Sequence, residues 1–152
     1  MNLELRTATK SDCQFVFDLS NDEAVRTSSL NQEKITWSTH ELWFKNKLDS
    51  SDDAFYIAEI KDKAMGQVRF VIRDDVAEIS LSLSCEFRGC GLGSSLIKLS
   101  CDRVFADFPV QKIHAVVKNE NESSIRSFEK SNFKKTFCDQ EIGISRLELT
   151  KR

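Results

Sequence analysis

Arg88-Gly89-Cys90-Gly91-Leu92-Gly93 is the stretch whose residue types and spacing most directly suggest chemistry. It follows a strand-like run from Ala77 to Ser84 and opens an amphipathic helix with Leu92, Leu96 and Leu99 on one face. Alternating glycines allow left-handed backbone and let a ligand come close. The start of the helix, with Ser94 in its first turn, offers unpaired amides and the positive end of a dipole, and Arg88 adds a full charge. Strand, basic glycine loop and helix together predict a pyrophosphate site. A P-loop would close on Gly-Lys-Ser/Thr, but here Gly93 is followed by Ser94-Ser95. A dinucleotide fingerprint would read G-x-G-x-x-G on the first strand, and about half of this chain precedes the glycines. Cys90 lies beside the helix N-terminus, an environment that activates thiols; the competing reading is a small filler whose amide alone matters.

The elements that must position this loop can be read in order. A chain of 152 residues, 40% hydrophobic and 30% charged, predicts one globular domain over residues 1–152. Residues 3–6 alternate like a strand. Ser11-Asp12 opens a helix with Phe15, Val16 and Leu19 on its apolar stripe, ended by Asn21-Asp22. Ser38 with Glu41 reads as a capping box for a second helix, which carries His40, Trp43, Phe44 and Leu48. Strands are expected at about 54–60, 65–73 and 76–84, with hairpin connections at Gly66 and Arg73-Asp74-Asp75. A helix after the glycine loop, a strand at about 112–118, a helix at about 122–130 and two closing strands complete the chain. The expected fold class is α/β: a mixed, mostly antiparallel sheet with helices on both faces.

Composition narrows the partners. The net charge is −2 with acids and bases mixed, so no basic stripe supports nucleic-acid binding. No apolar run approaches the length of a membrane span, and Met1-Asn2-Leu3-Glu4-Leu5-Arg6 lacks the apolar stretch of a signal peptide, which predicts a cytoplasmic location. Five scattered cysteines with no C-x-x-C pair, and only two histidines, predict reduced thiols and no metal. A homodimer stays open.

The pattern Arg-x-x-Gly-x-Gly at Arg88, Gly91 and Gly93 resembles the acetyl-CoA loop of the GNAT superfamily of N-acetyltransferases. A second stretch, Asn121 to Phe133, resembles the family's other signature at Asn121, Ser124, Phe128 and Phe133. Asn132 stands where that signature has glycine, and Asn is the next-best residue for a left-handed helix stop. The element order matches the family over nearly the whole chain. The resemblance implies acetyl-CoA as cofactor, with Asn121 and Ser124 beside its pantetheine arm. Backbone groups near Leu81 to Cys85, including those of Leu83 and Ser84, would bind it from a splayed central strand. Many members carry a tyrosine at the position of Phe128 that protonates the leaving thiolate; Phe128 has no proton to give.

Acetyl transfer needs a neutral amine, a polarised thioester and a fixed geometry between them. On the strand before the loop, Glu78, Ser80, Ser82 and Ser84 alternate with Ala77, Ile79, Leu81 and Leu83. A central strand in such a sheet should be apolar on both sides, so the polar row predicts a wet cleft. Glu78, with Ser82 on the same face, is placed to take the amine proton directly or through water, provided it is buried. The competing reading is an exposed edge strand with a solvated glutamate.

Asn21-Asp22-x-x-Val25-Arg26-x-x-Ser29, with His40, Trp43 and Phe44 downstream, resembles the branch that acetylates the 4-amino group of UDP-linked amino sugars in the pseudaminic acid pathway. That resemblance implies Arg26 as a diphosphate clamp, His40 as a partner of sugar or phosphate, and Trp43 as a pocket wall. Packing of the aromatics and His40 is the competing reading. Protein N-termini and polyamines are alternative acceptors, and a non-catalytic acyl-CoA-binding domain is the alternative outside the enzymes.

Overall fold

The computed structural model describes residues 2–152. Its strands are β1 (Leu3–Thr7), β2 (Asp53–Ile60), β3 (Lys63–Arg73), β4 (Val76–Leu83), β5 (Lys112–Lys118), β6 (Lys134–Asp139) and β7 (Ile144–Thr150). Its helices are α1 (Cys13–Ser20), α2 (Glu23–Ser28), α3 (Trp37–Asp49), α4 (Leu92–Asp107) and α5 (Glu122–Lys130). The strands form one sheet in the order β1-β2-β3-β4-β5-β7-β6, antiparallel except for β4 against β5. This is the expected mixed α/β architecture.

Alternation along the strands builds two cores. Phe55 and Ile57 point to one face, where Val16 and Phe44 cover them from α1 and α3. Val68, Phe70, Ala77 and Ile79 point to the other, against Leu96, Ile97 and Val104 of α4 and Phe128 of α5. Both faces are thus covered, which accounts for the near-continuous apolar run of β2.

Three local expectations are corrected. Ser38 does not cap α3; Thr36 does, its hydroxyl accepting from the Thr39 amide at 3.4 Å. Gly66 lies inside β3, and the β2–β3 turn is made by Lys61 and Asp62, both left-handed with φ of 52° and 64°. The break at Asn21-Asp22 is brief, because the Asp22 carboxylate caps the extra helix α2 through the amides of Ala24 and Val25. Asn132 does take the left-handed conformation expected of it, with φ of 71°.

Candidate active site

The site begins where β4 and β5 part. They pair over only Val76↔Lys112, Ala77↔Ile113 and Glu78↔His114, and then diverge. On its other edge β4 stays bonded to β3 as far as Gly66↔Leu83. The Ser84 amide still donates to Met65. The strand's alternation gives Ile79 the last cross-strand bond and turns the amides of Leu81 and Leu83 into the gap. A cleft of about 640 Å³ fills this splay, within the size range of small-molecule sites.

The glycine loop stands at the end of β4 as the sequence requires. Gly91 is the N-cap of α4 and is left-handed at φ of 76°. Gly93, inside the first turn, is glycine for a different reason: a Cβ there would lie 3.1 Å from the Ser127 hydroxyl of α5. The two helices approach closely at that point. Leu92 is turned into the core, so only its backbone is available to a ligand. Gly89 is also left-handed, and Ser94 bonds back to the Gly91 carbonyl at 3.3 Å. Cys90 is exposed, its thiol 3.5 Å from the Arg88 carbonyl.

Leu83, Arg88, Gly93, Asn121, Ser124 and Phe128 come together on the cleft, with Glu78 and Ser82 on the same surface. Ser84, Gly89, Cys90, Gly91, Leu92 and Ser94 are not among its lining residues. Asn121 caps α5 by accepting from the Ser124 amide at 3.3 Å. Phe128 is buried against Phe133, ring centroids 5.0 Å apart. Arg88, half-buried, is held by two acceptors. It donates to the Leu83 carbonyl at 3.0 Å and to the Asp22 carboxylate at 2.9 Å.

Glu78 lines the cleft, but the burial on which its role was conditioned is missing: its side chain is 47% exposed. A partner stands in for it. His114 Nε2 lies 3.1 Å from Glu78 Oε1, at the last pair before the strands diverge. Ser82 accepts from Gln67 Nε2 at 2.9 Å.

The three residues expected to bind the acceptor are largely occupied otherwise. The Arg26 guanidinium donates to the carbonyls of Ser20 at 2.6 Å, Asn31 at 2.9 Å and Glu33 at 3.1 Å, and to the Ser29 hydroxyl at 3.2 Å. It ties the end of α1 to the loop before α3, so it is a structural staple rather than a diphosphate clamp. His40 is 1% exposed, bonded to the Cys13 carbonyl at 3.0 Å and stacked on Phe44, and burial pushes its pKa down. It is a core residue and cannot reach a sugar. Trp43 packs on Phe55 and is no pocket wall. Its outer role is to carry the Arg69 guanidinium, 4.8 Å from the ring centroid.

Gln67 and Arg69 are among the cleft residues that escaped the sequence reading. Gln67 and Arg69 of β3 lie opposite Ser82 and Ser80 of β4 and continue the same polar face. Their own alternation with Val68 and Phe70 was the available signal. Among the described residues no group of three or more His, Cys, Asp or Glu is placed to hold a metal ion. Nor is any helix long and apolar enough to cross a membrane.

A family model described as an acetyltransferase (GNAT) domain matches residues 2–134. The spermidine N(1)-acetyltransferase of Escherichia coli K12 is 26% identical over 136 residues, covering 87% of this chain and 73% of that protein. The spermidine N-acetyltransferase of Vibrio cholerae, solved with CoA and spermine, superposes with a TM-score of 0.89 at 18% identity, over 97% of this chain and 95% of the other. An aminoglycoside acetyltransferase, AAC(6')-Ib, solved with ribostamycin and coenzyme A, gives 0.86 at 20% identity, over 99% of this chain and 94% of the other. These likenesses do not extend to the finer resemblance to enzymes of the pseudaminic acid pathway. A family match over most of the chain, on a fold whose sheet opens beside a glycine loop, means that the protein belongs to the GNAT acetyltransferases and is an N-acetyltransferase that uses acetyl-CoA.

Proposed function

We propose that this single domain transfers acetyl directly from acetyl-CoA to a primary amine of a small molecule, with both bound together in the splay. The observation that carries the reading is the loss of β4–β5 pairing after Glu78, beside the glycine loop. The pantetheine arm, which carries two amides of its own, takes the place of the missing strand along Leu81 and Leu83. Its diphosphate reaches the amides of Gly89 to Ser94 at the start of α4, with Arg88 as the neighbouring cation. Asn121, Ser124 and Phe128 form the opposite wall.

The amine nitrogen attacks the thioester carbonyl, the C–N bond forms and the C–S bond breaks. Glu78 takes the amine proton through water, and the thiolate draws its proton from water, since Phe128 supplies none. His114 holds the Glu78 carboxylate in place, and Ser82 sits on the polar surface facing the acceptor.

The acceptor divides the readings. The relatives named for spermidine support a polyamine. The UDP-linked 4-amino sugar has lost Arg26 as its anchor. Release of free thiol from acetyl-CoA, followed with spermidine, an aminoglycoside, amino acids, amino sugars and a UDP-amino sugar, tests the reading. Saturable release with one of these amines is expected. Tight acetyl-CoA binding with no release for any amine would sink it in favour of a non-catalytic acyl-CoA domain.

A further inference from the structure

The charged residues on the cleft surface are four cations, Arg26, Arg69, Arg88 and Lys118, and one carboxylate, Glu78. Three of the cations are accounted for within the chain. Arg26 is consumed by carbonyls, Arg88 is paired with Asp22, and the Lys118 ammonium donates to the Thr27 carbonyl at 2.9 Å. Arg69 is different. Among the described residues its guanidinium has no hydrogen-bond acceptor, and it lies over the Trp43 ring.

The carboxylates near Arg69 are spoken for. Asp53 is held by Lys47 at 3.1 Å, and Glu78 by His114. Burial presses on the charge of Arg69 and lowers its pKa, Asp53 and Glu78 draw it back, and Arg26 repels it. A guanidinium has five N–H donors, and those of half-buried Arg69 are not sealed from the cleft, so they are open to an acceptor that a ligand brings. Cation–π contact with Trp43 holds the plane of the group without using those donors.

A second unmatched group lies on the same face, two residues away. Gln67 is 4% exposed, and its Oε1 is buried without a partner while Nε2 is spent on Ser82. Reversing the amide would strand two N–H donors in place of one acceptor, so this orientation is the less costly one. The recess therefore sets a cation without an acceptor beside a buried carbonyl oxygen without a donor. A polycation meets only one carboxylate here, against a surplus of positive charge.

We propose that the acceptor carries an anionic group, a carboxylate or a phosphate, as well as its amine: Arg69 receives the anion and Gln67 Oε1 accepts a hydrogen bond from the amine. This rests on the acetyl-transfer reading above and narrows its substrate class away from polyamines.

The test compares amines that differ by the anion: cadaverine with lysine, ethanolamine with phosphoethanolamine, and glucosamine with glucosamine 6-phosphate, with spermidine alongside. The anionic members should win in kcat/KM by about tenfold or more, the scale of a charge-assisted hydrogen bond. Which pair separates most tells carboxylate from phosphate. Arg69→Met should raise the KM of the preferred amine by a similar factor, with the acetyl-CoA KM unmoved as a check on folding, and Arg69→Lys should recover part of the loss. Gln67→Met should raise KM for charged and neutral amines alike. Preference for spermidine over every anionic amine, or a preference that survives Arg69→Met, overturns the proposal.

Should no amine be turned over, the subsite is still decided by Trp43 emission in Trp37→Phe protein titrated with inorganic phosphate and with acetate. A saturable change that Arg69→Met abolishes supports the subsite; no change in the parent protein overturns it.

Discussion

The Arg88 guanidinium sits 2.9 Å from the carboxylate of Asp22, 66 residues earlier in the chain. One end of this pair belongs to the glycine loop and the other caps α2 on the acceptor side. Asp22 has its pKa lowered: burial works against the charge, and Arg88 with the two capping amides outweighs it.

With the cofactor bound as proposed, its diphosphate competes with Asp22 for Arg88. Arg88→Ala should raise the acetyl-CoA KM about 10–100-fold, as expected for loss of a charged hydrogen bond. Asp22→Asn keeps a good cap but frees the guanidinium, and should lower that KM about two- to fivefold, the scale of an exposed ion pair. Steady-state kinetics in acetyl-CoA separates the two. An Asp22→Asn enzyme that weakens as Arg88→Ala does would mean that the ion pair itself is the working form.

Glu78 and His114 should act as a unit in proton transfer. Glu78→Gln is expected to lower kcat about 10²-fold with little change in acetyl-CoA KM. His114→Gln should cost less and should alter the pH profile of kcat, which a purely structural histidine would leave in place. An unchanged kcat in Glu78→Gln would assign the proton to water alone.

The loop glycines should fail differently. Alanine at Gly91 must adopt φ of 76°, a left-handed strain of about 1–2 kcal/mol, although nothing crowds its Cβ. Alanine at Gly93 meets the Ser127 hydroxyl at 3.1 Å, but gains about 1 kcal/mol of helix preference. Urea unfolding should thus penalise Gly91→Ala clearly and Gly93→Ala little, while Gly93→Ala pushes α5 from α4 and raises the acetyl-CoA KM. Equal losses of stability would refute this division.

Acid should weaken the fold through His40. Burial lowers its pKa from 6.5, so the folded state favours the neutral ring while the unfolded chain takes up a proton first. The stability this contributes is present above about pH 6.5 and is lost as pH falls through that region. Melting temperatures between pH 7.5 and 5 should drop for the wild type and drop less for His40→Gln. Asp12 acts in a separate, lower window: its pKa is lowered below 3.8, burial being outweighed by Arg6 and the Thr9 amide, so its contribution disappears only in stronger acid.

Much of this was legible in the residues. The polar row Glu78-Ser80-Ser82 announced a cleft within a central strand, and the splay of β4 from β5 is its structural counterpart. The glycine spacing located α4, and Asn132 announced its own left-handed turn. The acceptor end was less legible because it depends on distant pairings. Nothing local says that Arg26 will be used up by Ser20, Asn31 and Glu33, or that Asp22 will find Arg88. His40 and Trp43 stay open between ligand and packing in the sequence, since polar and aromatic residues on a helix look alike whether they face a pocket or a core. Arg69 was missed for the opposite reason. It lies in a strand whose apolar neighbours drew the eye to packing, and its significance lies in a partner it does not have.

The parting of β4 and β5 also bears on how the protein must be handled. Between them the sheet has an uncovered edge in the middle of the molecule, with the amides of Leu81 and Leu83 facing the gap. Unpaired strand edges are templates for stray chains, and outer edges are usually guarded by charge or twist. This one lies within the cleft, where the charges stand on its rim and leave the backbone groups of Leu81 and Leu83 open. The peptide-like arm of its own cofactor is the natural cover, so protein stripped of CoA should aggregate sooner on heating and melt at a temperature set by how much CoA is added back.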